Sequence, residues 1–99
     1  MKEEIKKILS KALGFDDFEV MVPEKSNFGH YSTNLAMQKA KTVKRQPMDL
    51  AREFAAMIQE KAPRGVFQKM EIAPPGFINF WLSKEFVAQK LTEVFKSGP

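Results

Sequence analysis

No cysteine occurs among the 99 residues, which excludes disulfides and thiolate zinc sites. A single histidine, His30, leaves too few ligands for a metal centre of any common set. No apolar run approaches the roughly 20 residues needed to span a bilayer, and the start Met1-Lys2-Glu3-Glu4 lacks the apolar stretch of a signal peptide. The expectation is a cytoplasmic protein with no membrane and no metal among its partners. The five glycines are scattered singly, so no phosphate-cradling loop is present. His30 is followed by Tyr31 and Ser32, but a serine nucleophile needs its base within hydrogen-bond reach and that base held by a third group, which adjacency does not supply. A lone histidine in a polar loop reads as a turn residue or helix-start hydrogen bonder, and the chain alone reads as non-catalytic. Its length suits one domain, residues 1–99, with a single core and little room for a deep cleft.

What is present is a net charge of +4, concentrated in the middle of the chain. From Lys25 to Lys69 there are nine Lys or Arg against three acids, a bias that suits a polyanion but also an ordinary solvated surface. The stretch Ile72–Leu82 organises the rest. Pro75-Gly76 fits the centre of a type II turn, and a strand leaves it. On that strand Ile78, Phe80 and Leu82 form one wholly apolar face, while Phe77, Asn79 and Trp81 point the other way. The second face sets one amide between two aromatic rings, and a buried amide must find several hydrogen-bond partners.

In chain order, Ile5, Ile8, Leu9, Ala12 and Leu13 mark one face of a helix from about Lys2 to Leu13, ended by Gly14. Phe18 to Val22 reads as a short strand stopped by Pro23. A polar loop follows and runs into a helix from about Thr33, capped by Ser32 or Thr33 and striped by Leu35, Ala36, Ala40 and Val43. Lys39, Lys41, Lys44 and Arg45 crowd its final turns, where cations complement the helix dipole without any ligand. Pro47 opens a third helix, with Leu50, Ala51, Phe54, Met57 and Ile58 on its inner face up to Lys61. Val66 to Ala73 alternates, with Val66, Gln68, Met70 and Ile72 opposed to Phe67, Lys69, Glu71 and Ala73, and pairs with the following strand as a hairpin. Ser83 caps a last helix with Val87, Leu91, Val94 and Phe95 facing inward, ended by Ser97-Gly98-Pro99. The expected fold is α+β, order αβααββα: a small antiparallel sheet of three to four strands, about four helices on one side, and the other sheet face partly open.

Binding fits this composition better than catalysis. Unpaired RNA bases are recognised by stacking on aromatic rings and by amides that reach their edges, and Phe77, Asn79 and Trp81 supply both. Stacking contributes roughly 1–3 kcal/mol per base and a two-pronged amide contact about 1–3 kcal/mol of discrimination. The sum falls near or below the roughly 8 kcal/mol of a micromolar complex, so the domain alone should bind weakly. The plainer reading places Trp81 and Phe77 under a helix as core, with Asn79 bonded to backbone.

Two segments carry a resemblance. Phe28-Gly29-His30-Tyr31-Ser32-Thr33-Asn34-Leu35-Ala36, followed some forty residues later by Ala73-Pro74-Pro75-Gly76-Phe77-Ile78-Asn79-Phe80, resembles the N-terminal additional domain of arginyl-tRNA synthetases. That family shows Gly-Asp-Tyr-Ala/Ser-Thr-Asn and Gly-Phe-Ile-Asn-Phe in this order. The resemblance covers nearly the whole chain and implies an α/β domain that grips the D loop at the outer corner of tRNA. It further implies that Phe77 and Asn79 contact an exposed D-loop base, commonly adenine, with Pro74 close by. Trp81 shares their face, and Lys39, Lys41, Lys44 and Arg45 are candidate phosphate contacts. His30 replaces the family's aspartate, and can hold loop amides only through an unprotonated ring nitrogen. The His-Ile-Gly-His-like and Lys-Met-Ser-Lys-Ser-like segments of class I synthetases do not occur, so ATP and arginine would belong to a catalytic domain outside this chain. The alternative is a protein-docking module that uses the Phe77/Trp81 face, set apart by its response to salt.

Overall fold

The apolar alternation of Phe77–Leu82 becomes the middle strand of a three-stranded antiparallel sheet. The computed structural model describes residues 1–97. Its elements are α1 Lys2–Leu13, β1 Tyr31–Thr33, α2 Leu35–Val43, α3 Pro47–Lys61, β2 Phe67–Ala73, β3 Phe77–Leu82 and α4 Lys84–Ser97, with a 3₁₀ turn at Ser26–Phe28. The order αβααββα is the expected one, and the strands lie β1-β3-β2. Ile78 and Phe80 are fully buried and Leu82 nearly so. They join Ile5 and Leu9 of α1, Leu35 of α2 and Ile58 of α3 in one core, so the helices cover one sheet face, as the one-sided alternation requires. Among the described residues no helix is long and apolar enough to cross a membrane.

The first strand is not where the sequence placed it. Phe18 and Val20 are buried, but the segment makes only a single bridge, between Met21 and Ser32. Its backbone groups bond outside a ladder: the Phe18 amide donates to the Asp16 carbonyl at 2.9 Å, and the Glu19 carbonyl accepts the Thr33 hydroxyl at 2.8 Å. β1 instead lies in the stretch read as a polar loop. Thr33 also accepts the Leu35 amide at 3.3 Å, so it holds the start of α2 although Asn34 occupies the cap position.

A bulge between Phe67 and Lys69 shifts the phase of β2. Phe67 therefore joins Met70 and Ile72 on the core face instead of opposing them, and its ring lies 5.1 Å from that of Phe80. One extra residue in a strand has this consequence because the side-chain period is two. The hairpin turn is centred on Pro74-Pro75, joined by a cis peptide bond, with the Gly76 amide donating to the Ala73 carbonyl at 2.9 Å. This is the type VI arrangement rather than type II. A Cβ at Gly76 would lie 2.9 Å from the Pro47 Cβ, so the turn sits against the α2–α3 junction.

Ser83 caps α4 as expected, accepting the Phe86 amide at 3.0 Å while donating to the Gly65 carbonyl. Leu91 is 53% exposed and Val43 50% exposed, contrary to their expected inward placement. Val43 is the last residue of α2, and Phe86 takes the buried position on α4 instead of Leu91. The side chains of Val94 and Phe95 and the chain end at Gly98-Pro99 lie outside the described residues.

Candidate functional site

The sheet face turned away from the helices is built from cross-strand rows. Directly opposite residues share a face in an antiparallel pair, so the register Ser32↔Asn79 and Glu71↔Asn79, extended by the Met21↔Ser32 bridge, aligns Met21, Ser32, Asn79 and Glu71 across the sheet. The two sequence segments thus meet side by side. Asn79 is 4% exposed, and its Oδ1 accepts the Ser32 hydroxyl at 2.8 Å. Among the described residues its amino group donates to no protein atom, and no buried side-chain nitrogen or oxygen is stranded. That group therefore opens toward solvent.

It opens into a groove of about 310 Å³ whose walls are Met21, Val22, Pro23 and Phe28 on one side and Ala73, Pro74 and Phe77 on the other, with Ser32 and Asn79 between them. Phe28 remains 45% exposed, so an aromatic ring stands at the mouth. An apolar slot with one amide at its base can take a flat ring and hydrogen-bond its edge. A larger depression of about 690 Å³ along α1, lined by Glu3, Lys6, Lys7, Lys11, Phe15 and Asp16 among others, is open and mixed in charge.

Phe77, Asn79 and Pro74 come together in the groove. Trp81 does not: it is half-buried on the same sheet face, outside the core, and the Lys69 ammonium stands 4.6 Å from its ring centroid. Neither Phe77 nor Trp81 belongs to the core cluster, and the Asn79 bond goes to the Ser32 side chain, in contrast to the plainer core reading of this face. The basic cluster divides. Lys39 is engaged by Asp17 at 2.7 Å and lies over the Phe15 ring at 4.4 Å, and its ammonium holds the Asp17 carboxyl below the ordinary range. Arg45 pairs with Glu53 at 2.7 Å. Lys41 and Lys44 are exposed and have no ion-pair partner among the described residues. Lys44 closes α2 with a φ of 55°, three residues before the Pro47 that abuts the turn.

The near wall, Met21 to Phe28, escaped the sequence reading. The only signal for it was Phe28 at the head of the first segment. Behind that wall His30 extends the β1–β3 ladder by a different chemistry. Its amide donates to the Phe80 carbonyl at 2.9 Å, and its Nδ1 accepts the Leu82 amide at 2.9 Å. The ring thus serves as the backbone acceptor that β1 is too short to provide, through the unprotonated nitrogen that replacement of an acid requires. Gly29 makes this approach possible, because a Cβ there would lie 2.7 Å from the Phe80 oxygen and its φ is 98°. His30→Ala is expected to lower stability by about 1 kcal/mol, one partly buried hydrogen bond, or roughly 4–8 °C in melting temperature for a domain this size. His30→Asp should retain most of it, since a carboxylate accepts the same amide. Thermal melts of the two variants check this.

The fold has counterparts in known proteins. A family described as "Arginyl tRNA synthetase N terminal domain" matches residues 1–82. The arginine–tRNA ligase of Thermotoga maritima is 40% identical over 88 residues, 88% of this chain and 16% of that ligase. The arginine–tRNA ligase of Bacillus velezensis is 34% identical over 103 residues, covering 99% of this chain and 18% of the ligase. The crystal structure of arginyl-tRNA synthetase from Plasmodium falciparum superposes with a TM-score of 0.76 at 21% identity, over 97% of this chain and 18% of that one. The Thermus thermophilus arginyl-tRNA synthetase does so with a TM-score of 0.67 at 19% identity, over 91% and 15%. The structural matches bear on the fold. The chain spans less than a fifth of the length of these relatives.

Proposed function

Because the chain belongs to the arginyl-tRNA synthetase N-terminal domain family, we propose that it binds the tRNA for arginine at the D loop, on the outer corner of the molecule. In this reading an unpaired D-loop base enters the groove, packs against Phe77 with Pro74 beside it, and meets the Asn79 carboxamide at its edge. Trp81 lies beyond the groove and serves as a flanking contact. Arginine activation with ATP, and transfer to tRNA, belong to a catalytic domain outside this chain, and a part in translation fits a cytoplasmic protein. This division rests on the short span of the match and on the missing class I segments.

The observation that supports the reading best is the nearly buried Asn79 amide, bonded to Ser32 on one side and presenting unpaired donors to an apolar slot on the other. Of the basic cluster, Lys41 and Lys44 are the cations available to phosphates, and Lys44 lies three residues before Pro47, which abuts the hairpin turn. Lys39 and Arg45 would first have to leave Asp17 and Glu53. The protein-docking alternative is not favoured, because its two aromatic anchors are separated: Phe77 lines the groove, whereas Trp81 is covered by Lys69.

Titration of the chain with tRNA for arginine at low and moderate salt, followed by Trp81 fluorescence, tests this. Weak binding that falls steeply with salt is expected. Lys44→Ala should weaken it uniformly, whatever base occupies the D loop, and reduce the salt slope by about one. Binding that held or tightened as salt rose would instead favour an apolar protein contact.

A further inference from the structure

The geometry points to Ser32 as the positioning residue that fixes which end of the Asn79 carboxamide faces the groove, and hence which base edge the site accepts. The inference rests on the base-binding reading above. Ser32 is 6% exposed, and its hydroxyl proton has one acceptor among the described residues, the Asn79 Oδ1 at 2.8 Å. A flipped carboxamide would offer its amino group to the same hydroxyl oxygen, but the hydroxyl proton would then lack an acceptor in a buried place. Stranding a buried donor costs more than a net hydrogen bond contributes, so the flipped orientation is disfavoured.

The consequence is directional. One Oδ1 lone pair is spent on Ser32, and the amino group is turned into the slot as a donor. The edge that fits is one with an acceptor opposite that donor, such as a ring nitrogen of adenine, with the second Oδ1 lone pair left for a neighbouring exocyclic amine. Ser32 touches no base in this arrangement and acts through Asn79. The register makes this coupling local: Ser32 and Asn79 are paired residues of β1 and β3, so the carboxamide is held by the strand that directly follows His30. Alanine at this place would leave the carboxamide free to turn.

The test measures the affinity of the full chain for four versions of tRNA for arginine that differ only in the D-loop base. The chains compared are the native one, Ser32→Ala, Ser32→Thr and Asn79→Ala. The inference expects Ser32→Ala to narrow the spread between best and worst base by about fivefold, the size of one modest hydrogen bond, and Ser32→Thr to restore it through its hydroxyl. If Asn79→Ala flattens the spread while Ser32→Ala keeps it, Ser32 does not position the amide and the inference fails, with the base-binding reading intact. If Asn79→Ala leaves the spread unchanged, that reading fails as well. Should Ser32→Ala fold poorly, the threonine variant decides: a flat spread in a well-folded Ser32→Thr chain overturns the inference.

Discussion

Asn79→Ala is expected to lower the affinity for tRNA carrying the preferred D-loop base by about five- to a hundredfold, and to leave affinity for disfavoured bases nearly unchanged. The range corresponds to about 1–3 kcal/mol for a paired amide contact to a base edge. The selectivity of the effect follows from the place of the amide. It contacts no phosphate in this account, and the apolar walls that accept any flat ring remain. Removal of the carboxamide also takes away the acceptor of the Ser32 hydroxyl, so a small loss of stability should accompany the change. Binding isotherms against tRNAs with different D-loop bases, measured well below the melting temperature, separate the two effects. A uniform loss across all bases would mean that Asn79 supports the sheet and reads nothing.

Phe80→Ala should have the largest effect on the fold. Its side chain is fully buried, and it packs on Phe67 at 5.1 Å between ring centroids. Truncation of a buried phenylalanine costs about 3–5 kcal/mol, a large part of the roughly 5–15 kcal/mol that holds a domain together. Melting temperature should fall by about 15–30 °C. Phe80 lies between Asn79 and Trp81 on β3, so loss of its anchoring would release the floor of the groove as well. Denaturation curves check the magnitude, and a change below about 1 kcal/mol would contradict the core described here.

Much of this architecture was legible in the sequence because it follows from periodicity and caps. The alternation of Ile78, Phe80 and Leu82 against Phe77, Asn79 and Trp81 located both sheet faces. Pro47 and Ser83 marked the helix starts that α3 and α4 adopt. What was not legible depends on partners distant in sequence. Tyr31–Thr33 is too short and too closely flanked by polar residues to read as a strand; it becomes one because β3 supplies the ladder. Phe67 changed faces because of a bulge that no local pattern announces. The near wall of the groove is tied to the sheet by the bridge between Met21 and Ser32, a pairing that no local pattern in the sequence announces. Lysines look alike in sequence, yet Asp17, 22 residues away from Lys39, takes that one out of the available set. Position in the fold, and not charge alone, leaves Lys41 and Lys44 available.

The central claim is that the groove between Phe28 and Phe77 holds an unpaired base. The most direct test is an NMR titration of the isotope-labelled chain with tRNA for arginine, monitoring backbone amides and the Asn79 side-chain amide. The account predicts the largest shifts at the Asn79 amino group, Ser32, Phe28 and Phe77, with lesser shifts near Lys44 and none along α1. Shifts confined to the lysine-rich surfaces, with the Asn79 amide unmoved at saturation, would contradict it.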